Sequence, residues 1–142
     1  MPVAAVSVFA ILFFSSCSSG PQELKPGTAN CYFCKMTISD VRFGAEIVTK
    51  KGRVYKFDDS YCLLAYIKTK DLSPVDINNT YLTSFTGDHR LLNSSEALLL
   101  QSNNLRGPMG GNLAACKEAD SLKKLQQQYH GTAVRWNEIS NQ

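Results

Sequence analysis

An α+β fold, a single compact domain of two similar strand-strand-helix halves, is predicted by three observations. Pairs of short, alternating apolar runs occur twice, around residues 37–57 and again around residues 97–116. Each pair precedes a stretch of helical periodicity, Leu63, Leu64 and Ile67 in the first case and Leu122, Leu125 and Tyr129 in the second. Polar or glycine-rich turns (Lys50-Lys51-Gly52 and Gly107-Pro108-Met109-Gly110-Gly111) separate the strands of each pair. Period 2 followed by period 3.6 is the signature of strands leading into an amphipathic helix. No sequence repeat at a fixed period accompanies this duplication.

The elements follow in order. Residues 37–49 alternate through Ile38, Val41, Phe43, Ala45 and Ile47, and Arg53-Val54-Tyr55-Lys56-Phe57 answers them across the turn as a hairpin. Asp58-Asp59-Ser60 supplies N-cap chemistry for a helix running to about Lys68, whose Lys68 and Lys70 suit the negative end of the dipole. Leu72 to Asn79, containing Pro74, reads as a loop, and Tyr81 to Phe85 as a strand. Residues 90–92 and 97–101 are further short strands, and Asn112 to Cys116 another. A helix is expected from near Ala119 to Tyr129, with Gly131 as its C-terminal cap, and Thr132 to Trp136 closes the chain as a strand.

The N-terminus points outside the cytoplasm. Val3 to Phe14 is almost unbroken apolar sequence followed by Ser15-Ser16-Cys17, as in a lipoprotein signal whose cysteine is acylated and becomes the new N-terminus. The apolar run is shorter than the ~20 residues of a spanning helix, which favours the lipoprotein signal over the alternatives of a short anchor or a plain secretory signal. The expected organisation is therefore a signal over 1–16, a flexible tether over 17–30 that begins at the lipidated Cys17, and a folded domain over 31–139. The net charge of +3 is dispersed, without the clustered basic face that nucleic acid requires. No nucleophile-base constellation or phosphate-cradling loop can be assembled, so no enzyme is expected.

Chemistry concentrates in Cys31-Tyr32-Phe33-Cys34-Lys35-Met36. Two thiolates and a thioether within six residues form a soft-ligand set of the kind that selects Cu(I). An extended backbone would point the side chains of residues 34 and 36 to one side. Other readings of the pair remain. A zinc site needs a second Cys or His pair, whereas His89 and His130 stand apart. A redox pair belongs at a helix N-terminus, haem attachment requires CxxCH, and a Cys31–Cys34 disulfide is permitted in an oxidising compartment. Met109, in its glycine-flanked loop, is a candidate mobile thioether. Cys62 and Cys116, beside apolar stripes, read as core cysteines; Asp58 and Asp59 read as a helix start, and His89 and His130 as surface residues.

These residues carry a resemblance. The chain resembles the NosL family of lipoprotein accessory proteins of nitrous oxide reductase over roughly residues 17–139. The shared features are Cys17, the Cys31-to-Met36 cluster, Arg42-Phe43-Gly44-Ala45, Phe57-Asp58-Asp59 with Cys62 in the next turn, the Pro108-Met109-Gly110 loop, and the segment from Gly131 to Trp136. Where the family usually reads Cys-Gly-Met, this chain has Cys34-Lys35-Met36. The resemblance implies a membrane-tethered, periplasm-facing Cu(I) metallochaperone that passes copper toward nitrous oxide reductase through a membrane-associated maturation machinery. It implies Cys34 and Met36 as leading ligands, then Cys31, then Met109. The competing reading is an extracytoplasmic binding module with a structural or redox Cys31–Cys34 disulfide and no metal role.

Overall fold

Two antiparallel sheets and three helices make up the fold, which the computed structural model describes over residues 20–69 and 71–141. The expected signal segment and Cys17 lie outside the described residues. The first half contains β1 (Ala45–Thr49), β2 (Val54–Phe57), α1 (Ser60–Lys68), β3 (Ile77–Thr83) and β4 (Leu91–Asn93). The second contains β5 (Leu98–Gln101), β6 (Leu113–Cys116), α2 (Ala119–Tyr129), β7 (Thr132–Val134) and α3 (Trp136–Ser140).

The strand orders are β2-β1-β3-β4 and β6-β5-β7. Each half thus runs the same circuit. A hairpin leads into a helix, and the next strand returns to the open side of the hairpin's first strand. The two circuits are joined where Ser84, just past β3, bridges Ala115 of β6 in parallel, and the Phe85 N–H donates to the Ala115 carbonyl at 2.7 Å.

Alternation along the strands sorts residues between two cores. Leu99, Leu113 and Ala115 face a large core shared with the first half, alongside Ile47, Phe57 and Leu63. Leu100, Ala114 and Cys116 face a smaller core with Leu125 of α2. Ile47, Phe57 and Leu63 are fully buried, each worth roughly 1.5–3 kcal/mol in apolar transfer. Cys116 lies in the smaller core, where its thiol donates to the Leu98 carbonyl at 3.6 Å, as expected of a packing residue.

Several boundaries depart from the sequence reading. The run 37–49 is not one strand. Asp40 accepts the Arg42 N–H at 3.2 Å and its carboxylate pairs with the Arg42 guanidinium, so Val41–Phe43 closes as a 3-10 turn before β1 begins. Pro74–Asp76 forms another 3-10 turn, and β3 starts at Ile77 inside the expected loop. Pairing with β1 (Val48 opposite Asn79, Thr49 opposite Ile77) recruits residues of weak strand propensity. The left-handed cap of α2 is His130, at φ 51°, and Gly131 serves a different purpose. A Cβ on Gly131 would sit 2.4 Å from the Gln101 carbonyl oxygen, so it is close approach to β5 that demands glycine there. Beyond Val134 the chain turns into α3, where Glu138 accepts the Arg135 N–H at 2.9 Å.

The segment expected as tether already packs onto the domain from Gln22. Its N–H donates to the Glu46 carboxylate at 2.9 Å, and Leu24 is buried in the large core. No helix among the described residues is long and apolar enough to cross a membrane.

Candidate metal centre

The Cys31-to-Met36 cluster is the tip of a small hairpin. The Gly27 N–H donates to the Ile38 carbonyl, Ile38 donates to Ala29, and Cys31 donates to Met36, at 2.8–2.9 Å, with Asn30 bridged to Thr37. Between those rungs the chain must reverse, so residues 32–34 are turn and not strand. The Lys35 N–H closes the turn onto the Cys31 carbonyl at 3.0 Å. The condition under which residues 34 and 36 would point to one side, an extended backbone, is therefore not met. Lys35 lies in the left-handed region at φ 66°, where glycine is the residue of least strain. Its ammonium donates to the Tyr32 carbonyl at 2.5 Å and lies 4.5 Å from the centre of the Tyr32 ring, local contacts that offset the strain.

The tip is pinned to the first half. The Tyr32 N–H donates to the Lys56 carbonyl of β2 at 2.7 Å. Its ring meets Tyr55 and Tyr66 edge-on at 4.6 and 5.3 Å. This anchoring presses the cysteines toward the start of α1. Cys31 is buried, Cys34 is half-buried, and Cys62, in the first turn of α1, is fully buried. The sulfurs of these three lie within 4.8 Å of one another. Three sulfurs bound to one ion at ~2.3 Å stand about 4 Å apart, so modest side-chain adjustment closes the set on a single soft ion.

Cys62 lies in the large core, as read from sequence, and its sulfur also joins this group. Its signal was its place one turn after Asp58-Asp59, on an apolar helix face that sequence reading cannot tell from packing. Met36 is exposed, at 56% of its full area, and Met109 is half-buried against the core cluster that contains Cys31 and Cys62. His89 and His130 stand outside the sulfur group. The His89 ring binds the Ser84 carbonyl at 3.0 Å, and His130 is exposed at the end of α2.

Electrostatics set Cys34 and Cys62 apart from activated thiols. Burial, followed by the neighbouring Cys31, pushes the Cys62 thiol far up. Burial likewise raises the Cys34 thiol. Cys62 does sit in a helix's first turn, but its N–H is already taken by the Asp59 side chain at 3.1 Å. Neither net shift favours a thiolate as a free nucleophile. Both shifts favour the protonated thiol, so an ion bound by Cys34 and Cys62 must displace their protons. All four described cysteines are free thiols. No His, Asp, Glu or fourth Cys joins the trio among the described residues, so a tetrahedral four-ligand zinc site is not assembled from those groups.

The comparisons with known proteins agree with this architecture. The family profile described as NosL matches residues 21–142. A solved structure titled "Crystal structure of the copper chaperone NosL from Shewanella denitrificans" superposes with a TM-score of 0.69 at 18% identity, covering 84% of this chain and 95% of that one. At that identity the match speaks for the fold alone. No curated protein sequence matches the chain.

Proposed function

Since this chain belongs to the NosL family, we propose that it is a Cu(I)-binding metallochaperone whose cargo sits between the Cys31–Cys34 turn and the first turn of α1. The observation that carries this reading is the convergence of the Cys31, Cys34 and Cys62 sulfurs within 4.8 Å. Soft thiolates with thioethers at the margin suit Cu(I) better than a harder ion. The Shewanella denitrificans protein of the same fold, titled a copper chaperone, supports the same class of cargo.

The burial gradient suggests how copper moves. Cys31 and Cys62 are buried, Cys34 is half-buried and Met36 is exposed. A partner's sulfur approaches from the side of Met36 and Cys34, bonds to the ion before the inner thiolates let go, and draws it outward one ligand at a time. A neutral thioether at the rim holds less tightly than a thiolate and so favours release. Within this proposal the destination is the copper sites of nitrous oxide reductase, reached through a membrane-associated maturation machinery. Acyl chains on Cys17 keep the carrier at the periplasm-facing membrane surface. The role is carriage and not catalysis.

An anaerobic competition titration of the reduced full chain in detergent tests the cargo. About one Cu(I) per chain, bound far more tightly than Zn(II), is expected, with affinity rising as pH rises because binding releases thiol protons. Tighter binding of Zn(II) overturns the reading. Mass spectrometry of the same membrane-derived protein checks the anchor, and an unmodified Cys17 removes it.

A further inference from the structure

Resting on that function, the geometry points to Asp59 as the positioning residue of the copper site, a single carboxylate that holds the Met109 loop of the second half against the α1 turn bearing Cys62. Asp59 is fully buried. One of its oxygens accepts the Cys62 N–H at 3.1 Å, and the other accepts the N–H groups of Met109 and Gly111, each at 2.9 Å. No cation pairs with it among the described residues. Three N–H donors alone compensate the burial of this carboxylate.

A helix cap by itself does not call for that arrangement. Serine or asparagine caps a helix as well as aspartate, without bringing a charge out of water. The second oxygen reaches 50 and 52 residues along the chain. The loop is also shaped to receive it. A Cβ on Gly107 would lie 2.7 Å from the carboxylate, and one on Gly111 2.8 Å, so glycine at both positions lets the backbone close around it. With its amide fixed in this way, Met109 packs against the large core, of which Cys31 and Cys62 are part. Backbone N–H groups of Cys62 from the first half and of Met109 and Gly111 from the second meet at one charged group.

The experiment is a double-mutant cycle on Cu(I) affinity in the reduced full chain, with bicinchoninate as competing chelator. Asp59→Ser keeps a helix cap but is too short to reach the loop. Met109→Leu removes the sulfur and keeps the bulk. Each single change is expected to weaken Cu(I) binding about tenfold, as loss of an outer support does. The double change should also cost about tenfold and not a hundredfold, because both remove the same contact. X-ray absorption should show one sulfur fewer around copper in either single variant and no further loss in the double. Gly111→Ala, which crowds the carboxylate without altering it, should copy Asp59→Ser and serves if that variant does not fold. Additive losses, or a silent Met109→Leu, overturn the positioning role while parental Cu(I) binding stands. If the parent itself prefers Zn(II), the copper function fails, and this role falls with it.

Discussion

Replacing Cys62 with alanine is expected to abolish tight Cu(I) binding as completely as replacing Cys34 with serine. Both side chains belong to the sulfur trio within 4.8 Å. Four ligands of a structural zinc site together supply about 10–16 kcal/mol, so one thiolate of a soft site is worth roughly 3 kcal/mol, about a hundredfold in affinity. Cys116→Ala is the matched control. It too removes a buried thiol, but from the α2 core, where the sulfur contacts the Leu98 carbonyl. Its expected cost is about 1 kcal/mol of stability with copper affinity unchanged. Cu(I) titration and urea unfolding of the three variants separate the roles. If Cys62→Ala keeps parental copper affinity and loses only stability, the thiol is core and the cargo is held by the hairpin tip alone.

Stability is expected to fall as pH rises from about 5 to 8, and Glu46 is the main reason. Glu46 stands in the middle of β1, opposite Lys56 of β2 and Tyr81 of β3, and is fully buried. One oxygen accepts the Gln22 N–H; the other has no hydrogen-bond partner and lies 4.0 Å from the Lys56 ammonium. Burial outweighs both favourable contacts and raises the carboxyl from 4.5 to about 7. Between these values the folded chain holds a proton that the unfolded chain has released. Stability is therefore lost as pH rises through this window and levels off above it, by roughly 3 kcal/mol in all. Asp58, raised by its burial and by the charge of Asp59, acts in the same direction. Glu46→Gln should flatten most of the slope and leave the variant more stable than the parent at pH 8. Urea unfolding of both proteins at pH 5, 6, 7 and 8 checks this, and a parent whose stability is flat or climbs over that range refutes it.

Local sequence determined the elements whose causes are local. The Lys50-Lys51-Gly52 turn, the α1 start at Asp59, the span of α2 from Ala119 to Tyr129, and the doubled strand-strand-helix order all follow from turn chemistry, capping and periodicity, and the structure has each of them. The Cys31-to-Met36 cluster stands out as a soft-donor set because its sulfurs are neighbours in the chain, and the structure brings the sulfurs of Cys31 and Cys34 together. What the sequence left open depends on contacts between distant residues. β3 begins at Ile77 because β1 offers it a partner, and Gly131 is glycine because β5 passes too close for a side chain. Cys62 lies 28 residues beyond Cys34, and periodicity alone places it on an apolar face, where packing and ligation look alike. Only the turn at Tyr32, pinned to β2 and wedged between Tyr55 and Tyr66, brings the hairpin tip over the first turn of α1. The same holds for Asp59, a helix cap by local rules, whose second oxygen meets the Met109 loop only once the two halves have joined along Ser84 and Ala115. Local propensity fixes which segments form, whereas a site built from several segments exists only after long-range packing sets their distances.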